Sequence, residues 1–343
     1  MSAEVRVVFV APFFLETTVR FVRAVAELPN VKLGLISQDP LEKLDPRVKA
    51  RLSAHWQVGN SLDAHQIAGA TRELAARLGG VDRLLGTLEQ LQIPLAMARE
   101  LAGVPGISVD VARNFREKAR MKERLRAAGL PCARHRLVES VEDAVDFGRA
   151  VGYPLVVKPP AGAGSVDTSQ ARDEGELRTL VARMQPSSGR GVLCEEFIGG
   201  LERSFEVVSI GGKRLWHSLT RYAPPPLDVL ENPWIQWTVL LPREIDGPEF
   251  AAIRDAGPRA LEVLGMDTGI THMEWFRRQD GTVAISEVAA RPPGAQFTTL
   301  LSYAHDVDFY RAWVRLVGMD RFEVPQRRFA TGAAFLRGQG DGR

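Results

Sequence analysis

The 343-residue sequence predicts two kinds of fold in one chain, a parallel α/β unit followed by an α+β half. Over about the first 110 residues, apolar β-branched runs alternate with segments of helical periodicity. Beyond them, strand-like segments come in pairs joined by tight turns. With 45% hydrophobic and 25% charged residues, the chain is long enough to bury more than one core, and we expect two or three packed units.

The first unit begins with Val5 to Val10, a continuous apolar run typical of a strand buried on both faces. The same alternation predicts helices over 18–28, 63–78 and 94–101, and strands over 31–37 and 82–86. No GxGxxG follows the first strand, so a dinucleotide site there has little support. We interpret the unit as a scaffold that can also form one wall of a substrate site.

The second half begins with an amphipathic helix predicted over 113–128, which Gly129-Leu130-Pro131 ends. Ser140 and Asp143 then resemble a capping box at the start of another helix. Further along, the pattern predicts strands over 154–158, 192–198, 205–210, 213–218, 271–278 and 282–287, and helices over 174–184 and 250–264. Two pairs of these strands are joined by the hairpin turns Gly211-Gly212 and Gln279-Asp280-Gly281.

Charge and cysteine content argue against several classes of protein. Lys and Arg number 44 against 42 Asp and Glu, so the net charge of +2 gives no electrostatic footprint for nucleic acid or an anionic membrane. No stretch approaches the length of a membrane-spanning helix, and Arg6 lies within the apolar start, which predicts a strand and not a signal peptide. Cys132 and Cys194 are far apart and predict free thiols in a reducing cytoplasm.

Two glutamates lie on the strands of the second predicted hairpin. Glu274 and Glu287 are 13 positions apart, which is close enough for their carboxylates to face each other across it. Facing carboxylates repel unless a cation lies between them, and Mg²⁺ suits carboxylate and phosphate oxygens. Taken alone, the two residues favour an exposed hairpin with solvated glutamates. Their neighbours are too apolar for a free surface: His272, Trp275, Ile285 and Val288.

Two cationic side chains follow strands where a phosphate could bind. Lys158 closes an apolar strand before the small-residue loop Ala161 to Ser165, whose backbone N–H groups, including those of Gly164 and Ser165, could approach phosphate oxygens. Arg291 precedes a stiff Pro-Pro-Gly segment that would hold its guanidinium near the metal, where it could clamp a phosphate or carboxylate. A snorkelling lysine and a surface arginine are the alternatives.

A third candidate lies at the end of the strand over 192–198, just before Gly199-Gly200 and Glu202. Backbone groups at such a strand end can bind an adenine edge while a carboxylate accepts hydrogen bonds from ribose hydroxyls. In isolation the segment is a strand with a turn. The histidines show no metal-ligand spacing, and no Ser-His-Asp or Cys-His arrangement can be inferred.

Four segments taken in order resemble the ATP-grasp superfamily, particularly its carboxylate-amine ligases such as L-amino acid ligases and carnosine synthase. They are EKARMKERLRAAGLP, GYPLVVKPPAGAGS, LCEEFIGGLERSFEVV and GITHMEWFRRQDGTVAISEVAARPPG. The resemblance implies an N-terminal α/β pre-ATP-grasp domain over 1–111 and a two-lobed ATP-grasp fold. Its small lobe would cover 112–190 and its large lobe 191–343.

The resemblance also implies a role for each candidate residue. The nucleotide contacts would be Lys118 and Lys158 on the phosphates, Glu195, Glu196, Phe197 and Ile198 at the adenine, and Glu202 at the ribose. The metal and reaction residues would be Glu274 and Glu287 on Mg²⁺, with Mn²⁺ as a substitute, and Arg291 with Lys158 on an acyl phosphate. We further expect the loop from Ala161 to Ser165 to be mobile without nucleotide.

The implied activity is that of an ATP-dependent carboxylate-amine ligase, which forms an amide or peptide bond through an acyl phosphate and releases ADP and phosphate. Its partners would be a small-molecule carboxylate and an amine, without nucleic acid or membrane, and a homodimer is compatible with the resemblance. A biotin carboxylase-like enzyme and a nucleotide-binding protein without turnover are the alternatives.

Two positions depart from the family pattern. Many members have Asn two residues after the second metal carboxylate, where this chain has Ala289, so a ligand must come from water or from a bidentate Glu287. A second metal ion is therefore less expected than the first. The final GAAFLRGQGDGR resembles the opening hairpin of a further subdomain, which predicts a truncated chain or a member without that lid.

Overall fold

The protein is described by a computed structural model over residues 4–161, 167–232 and 234–338. Over these ranges the strands form a parallel sheet of four strands, an antiparallel sheet of four and an antiparallel sheet of six. Gly164 and Ser165 lie outside the described residues, so the contacts and mobility predicted for their loop remain predictions.

The parallel sheet belongs to the N-terminal unit. Its strands are β1 (Val5–Val10), β2 (Val31–Ser37), β3 (Ala54–Gln57) and β4 (Arg83–Leu85), in the order β3-β2-β1-β4. The helices beside it are α1 (Glu16–Ala26), α2 (Pro46–Lys49), α3 (Ala64–Leu78) and α4 (Gln92–Ala102). The prediction omits β3 and α2 because segments of four residues are too short to establish a period.

Local signals determine where α3 begins and ends. The Asp63 carboxylate accepts hydrogen bonds from the N–H groups of His65 at 2.8 Å and Gln66 at 3.3 Å. Gly79 ends the helix in the left-handed conformation with φ of 78°. The helix packs its Ile67 and Leu74 side chains into the apolar layer that covers one face of the parallel sheet.

The single helix predicted over 113–128 is wrong, because two helices cover this segment. These are α5 (Val109–Arg116) and α6 (Lys118–Ala127), separated by Glu117 in an extended conformation with φ of −91° and ψ of 102°. The Lys118 N–H donates to the Pro160 carbonyl at 3.2 Å instead of continuing the α5 ladder. A tertiary hydrogen bond thus replaces a helical one and turns the chain at the start of α6.

The four-stranded antiparallel sheet follows. Its elements are β5 (His135–Val138), α7 (Val141–Val151), β6 (Leu155–Lys158), β7 (Ser169–Ala171), α8 (Glu174–Met184) and β8 (Val192–Glu196), and the strand order is β5-β8-β6-β7. Ser140 caps α7 by accepting from the Asp143 N–H at 3.1 Å, as predicted. In this sheet β8, which begins after residue 190, pairs with β5 and β6, which lie before it. The lobe ranges 112–190 and 191–343 remain a prediction.

The six-stranded antiparallel sheet forms the second half. Its strands are β9 (Leu201–Ile210), β10 (Lys213–Ala223), β11 (Trp237–Leu241), β12 (Gly269–Arg277), β13 (Val283–Ala289) and β14 (Thr331–Phe335). The accompanying helices are α9 (Pro226–Glu231), α10 (Ala251–Leu264), α11 (Phe297–His305) and α12 (Phe309–Met319). The strand order in this sheet is β13-β12-β9-β10-β11-β14. The segment that was predicted to open a C-terminal hairpin contains most of β14, which pairs with β11 at the edge of the sheet.

The N-terminal unit and the six-stranded sheet share one apolar core. Phe9 of β1 and Phe21 of α1 contact Trp313 of α12 edge to face, with ring centroids 6.4 and 4.9 Å apart. Trp216 of β10 belongs to the same cluster. This continuity holds the first unit against one side of the sheet that carries the candidate site. No helix in the described residues is long and apolar enough to cross a membrane.

Candidate functional site

The two predicted carboxylates face each other across adjacent strands. In the antiparallel pairing of β12 with β13, Glu274 is directly opposite Glu287. Both line a cleft of about 360 Å³, and Lys158 and Arg291 line the same cleft. The hairpin signal in Gln279-Asp280-Gly281 therefore predicted their juxtaposition correctly, while the binding roles of these residues remain predictions.

Lys118 enters the cleft from the first position of α6. Its ammonium Nζ donates to Glu287 Oε1 at 2.6 Å, and its side chain is only 6% exposed. The break at Glu117 orients the start of α6 so that this lysine reaches the second metal candidate. A cation already lies against one of the two opposed acids, as expected for a site that attracts positive charge.

Lys158 ends β6 and contacts the predicted adenine hinge instead of open solvent. Its Nζ lies 2.9 Å from Glu195 Oε2, with both side chains at least nine-tenths buried. Burial opposes the charged lysine, but the carboxylates of Glu195 and Glu287 outweigh burial and raise the pKa of Lys158. The lysine therefore remains protonated beside the space where phosphates are expected.

The predicted adenine hinge is a strand end bordered by an apolar slot. The N–H of Glu196 donates to the Arg134 carbonyl at 2.8 Å, and the Phe197 N–H donates to the Pro154 carbonyl at 3.3 Å. The Glu196 carboxylate pairs with Arg134 at 3.1 Å. Beside the hinge, the cleft is lined by apolar side chains that suit a flat aromatic ring: Ala133, Val156, Ile198, Phe276 and Ile285.

Glu202, the predicted ribose ligand, lies on β9 within the same cleft. It is opposite Phe276 of β12, two positions along from the Ser204 and Glu274 pair. Burial, followed by the charge of Glu274, raises the pKa of Glu202 to about 8. A carboxyl group that resists ionisation next to other acids indicates a crowded anionic site that a cation would relieve.

His272 contributes to the cleft although the sequence suggested no role for it. Its Nδ1 lies 2.8 Å from Glu206 Oε1, and its Nε2 lies 3.7 Å from Glu274 Oε1. Burial opposes a charged imidazole, but Glu206 and Glu274 outweigh it and raise the pKa of His272 to about 9. The only sequence signal is the two-residue spacing to Glu274, which puts both side chains on one face of β12.

Arg291 is held by a residue of the N-terminal unit. Its Nε donates to the Glu89 carboxylate, and its Nη1 donates to the Pro292 carbonyl at 2.8 Å. Arg116 at the end of α5 lies 3.7 Å from the other Glu89 oxygen and donates to the Ala161 carbonyl at 2.6 Å. The sequence did not single out Glu89 or Arg116, since neither lies in a recognisable motif. Glu89 thus brings the N-terminal unit to the cleft, and the role of this unit as a wall of a substrate site remains a prediction.

The donor set fits a magnesium ion shared with phosphate. No cluster of three or more His, Cys, Asp or Glu side chains suited to a metal occurs within residues 4–161, 167–232 and 234–338. Two opposed carboxylates are nonetheless enough for Mg²⁺, which takes one or two protein carboxylates and completes its shell with phosphate oxygens and water. Ala289 also lines the cleft and offers no ligand atom.

Comparison with known proteins agrees with this geometry. The family model of the ATP-grasp domain matches residues 123–304. The L-arginine-specific L-amino acid ligase of Bacillus subtilis is 23% identical over 244 residues, which cover 69% of this chain and 57% of the relative. The chain thus spans little more than half the length of this curated relative.

Two solved structures share the fold at low sequence identity. An L-amino acid ligase from Bacillus licheniformis superposes with a TM-score of 0.75 at 19% identity, covering 93% of this chain and 75% of its own. The biotin carboxylase domain of the Hydrogenobacter thermophilus 2-oxoglutarate carboxylase, in complex with MgADP and bicarbonate, gives 0.73 at 20%, covering 97% and 74%. The predicted fold class, a parallel α/β unit before a two-lobed α+β fold, is thereby confirmed.

Proposed function

Because the chain belongs to the ATP-grasp family, we propose that it is an ATP-dependent ligase that activates a small-molecule carboxylate and joins it to an amine. The observation that carries this proposal is the opposition of Glu274 and Glu287 on neighbouring strands, in a cleft that also contains Lys158 and Arg291. The reaction passes through an acyl phosphate and releases ADP and phosphate. An amine then displaces the phosphate to form an amide.

Each charged side chain has its own task in this reaction. Lys118 and Lys158 bind nucleotide phosphates, because the Lys118 ammonium contacts Glu287 and the Lys158 ammonium lines the same cleft beside Glu195. Glu274 and Glu287 hold Mg²⁺, which when bound supplies charge neutralisation on the transferring phosphoryl group. Arg291 orients the substrate carboxylate through its Nη2, because its Nε and Nη1 already donate to Glu89 and to the Pro292 carbonyl. No protein nucleophile is needed, because the substrate carboxylate itself attacks.

The nucleoside occupies the other end of the cleft. The adenine ring lies in the apolar slot beside Ile198 and Phe276, and the backbone of the hinge from Glu195 to Ile198 binds its polar edge. Glu202 accepts hydrogen bonds from the ribose hydroxyls. This arrangement directs the triphosphate toward Lys158 and the acid pair. The protein acts in the cytoplasm, a compartment that suits its free cysteines Cys132 and Cys194.

The carboxylate substrate is an L-amino acid in this proposal. Two of the compared proteins are L-amino acid ligases, and one of them is the L-arginine-specific relative. A second candidate is carboxylation with bicarbonate, which the similarity to the biotin carboxylase domain supports. The two candidates differ in what starts ADP release, since only the second requires bicarbonate.

ADP release measured against a substrate panel tests the proposal. Purified protein with MgATP is given single L-amino acids, then pairs of them, and separately bicarbonate. We expect ADP release that depends on amino acids, with an amide product detected by mass spectrometry. Glu287→Gln should lower the rate at least about a hundredfold, since it removes a metal ligand. Glu244→Gln on an exposed surface is the matched control and should leave the rate unchanged.

Three outcomes would contradict this assignment in different ways. ADP release with bicarbonate alone would favour the carboxylase alternative. Tight MgADP binding without turnover across the whole panel would favour a nucleotide-binding protein. Wild-type activity in Glu287→Gln would remove the observation on which the proposal depends.

A further inference from the structure

Lys122 is a buried cation next to the nucleotide cleft that the proposed reaction does not use. It lies on α6, one helical turn after Lys118, and its side chain has no exposed surface. Its Nζ lies 3.4 Å from Glu195 Oε1 and donates to the Ser286 carbonyl at 2.5 Å. Lysine is almost never fully buried without a partner, so these contacts require an explanation.

Glu195 is shared between two lysines. Lys158 lies 2.9 Å from one carboxylate oxygen and Lys122 lies 3.4 Å from the other. Burial disfavours the ionised carboxylate, but Lys122 and Lys158, in that order, outweigh burial and lower the pKa of Glu195. Burial lowers the pKa of Lys122, and the nearby carboxylate of Glu195 opposes this effect. With both lysines protonated, the group has two positive charges and one negative charge, a net charge of about +1.

The location of this charge matters because, of the two lysines that contact Glu195, Lys158 lines the cleft and Lys122 is enclosed behind it. If Glu195 were paired with Lys158 alone, the two charges would cancel and the cleft would lose its attraction for phosphate at this point. Lys122 supplies the counter-charge from behind. Glu195 can then position the Lys158 ammonium without neutralising it.

We propose that Lys122 is a positioning residue for the nucleotide, which balances the charge of Glu195 so that Lys158 keeps a full positive charge for the phosphates. This inference rests on the proposed function, because it assumes that a nucleotide binds in the cleft. The contact with the Ser286 carbonyl adds a second effect. The bond ties α6 to β13 at Ser286, one residue before Glu287. The same ammonium therefore links β8, which carries Glu195, to β13, which carries Glu287.

Charge balance predicts a specific pattern in a double-mutant cycle. Binding of MgADP is measured by isothermal titration calorimetry in wild type, Lys122→Met, Glu195→Gln and the double variant. We expect Lys122→Met to weaken binding about tenfold or more, because Lys158 becomes neutralised by Glu195. Adding Glu195→Gln should restore affinity to within about threefold of Glu195→Gln alone, since no acid then competes for Lys158. A purely structural role predicts additive losses instead.

Lys122→Arg is the charge-conserving control, because it keeps a positive charge behind Glu195, and it should retain more affinity than Lys122→Met. If Lys122→Met fails to fold, the comparison is made between Glu195→Gln and the double variant. If Glu195→Gln and the double variant bind MgADP equally well, the inference is supported. If the double variant binds MgADP tenfold more weakly than Glu195→Gln, the inference is overturned. If the wild-type protein does not bind MgADP at all, the proposed function is refuted. If the Lys122→Met variant binds MgADP as tightly as wild type does, only this inference is refuted.

Discussion

At the scale of single residues, the orientation of Arg291 depends on Glu89. Bonds from Nε to Glu89 and from Nη1 to the Pro292 carbonyl fix the plane of the guanidinium. Within the part of the chain that the structure describes, no contact engages its Nη2. That edge is suited to a substrate carboxylate, since a fixed planar donor loses little entropy on binding.

Replacing Glu89 by Gln should therefore affect the carboxylate substrate and spare the nucleotide. Gln keeps the shape but loses the charged hydrogen bond that holds Arg291, and such bonds contribute about 1.5–3 kcal/mol. We expect kcat/KM for the carboxylate that supports ADP release to fall about tenfold, while the Kd for MgADP changes less than about twofold.

Glu73→Gln is the matched control for this change, because Glu73 is an exposed glutamate on α3 of the same unit. It should leave both constants unchanged. Equal weakening of the carboxylate and nucleotide constants in Glu89→Gln would show that Glu89 supports the cleft as a whole and does not orient Arg291.

Sequence spacing placed nearby residues together, but spacing alone did not reveal partners that lie far apart in the chain. Glu274 and Glu287 were placed together because a single hairpin connects them. Glu89 and Arg291 are 202 positions apart, and Lys122 and Ser286 are 164 apart. Spacing carries no information about such pairs, because tertiary packing alone brings them together.

At the scale of elements, α10 approaches the six-stranded sheet very closely at Gly257. A Cβ at this position would lie 2.5 Å from the ring of Phe205, which is fully buried on β9. Neither the ring nor the helix backbone can move without disturbing the core around them. Glycine is needed here for close packing and not for an unusual backbone conformation.

Gly257→Ala should lower the free energy of unfolding by about 1–3 kcal/mol, because the added methyl group overpacks the core. Urea denaturation would measure the change. Gly69→Ala on α3 is the matched control, since its Cβ would meet no atom within 4 Å. There alanine should raise the free energy of unfolding by about 0.5–1 kcal/mol through its higher helix propensity. Equal effects at the two positions would argue against close packing as the cause.

Element boundaries were predictable where local chemistry sets them. The ends of α3 at Asp63 and Gly79 follow from a side-chain cap and a left-handed glycine. The break at Glu117 was missed because the segment has the charge and apolar periodicity of one helix. Its cause is the Pro160 carbonyl, which accepts a hydrogen bond from the Lys118 N–H and lies 42 positions after Lys118 in the chain.

At the scale of the whole molecule, His305 lies in the core that joins the N-terminal unit to the six-stranded sheet. It is 3% exposed, and its ring contacts Trp216 of β10 at 5.2 Å and Phe309 of α12 at 6.4 Å. Burial, with a smaller effect of Arg327, lowers the pKa of its imidazole to about 4. The neutral ring therefore packs as an aromatic side chain.

This histidine should make the shared core sensitive to acid. Its pKa is about 4 when folded, against 6.5 as the ordinary value, so below pH 6.5 the unfolded chain binds more protons. The contribution of the neutral His305 to the free energy of unfolding is fully present above pH 6.5, and it is lost as the pH falls from 6.5 toward 4. At pH 5 the loss amounts to about 2 kcal/mol.

His305→Phe should remove this part of the pH dependence, as measured by urea denaturation between pH 7.5 and 5. His65→Gln, at an exposed histidine on α3, is the control and should follow the wild-type curve. Parallel curves for wild type and His305→Phe would exclude His305 as the source of acid sensitivity.

The hydrogen bonds at Pro160 and Ala161 also restrict how the four-stranded sheet can rotate. The Lys118 N–H and the Arg116 guanidinium hold these two carbonyls, only two and three positions after Lys158. When a rigid body rotates about a fixed corner, each atom travels in proportion to its distance from that corner. Lys158, at the end of β6, lies next to this point of attachment, so any rotation of the sheet about it would displace the lysine less than the outer strands β5 and β7.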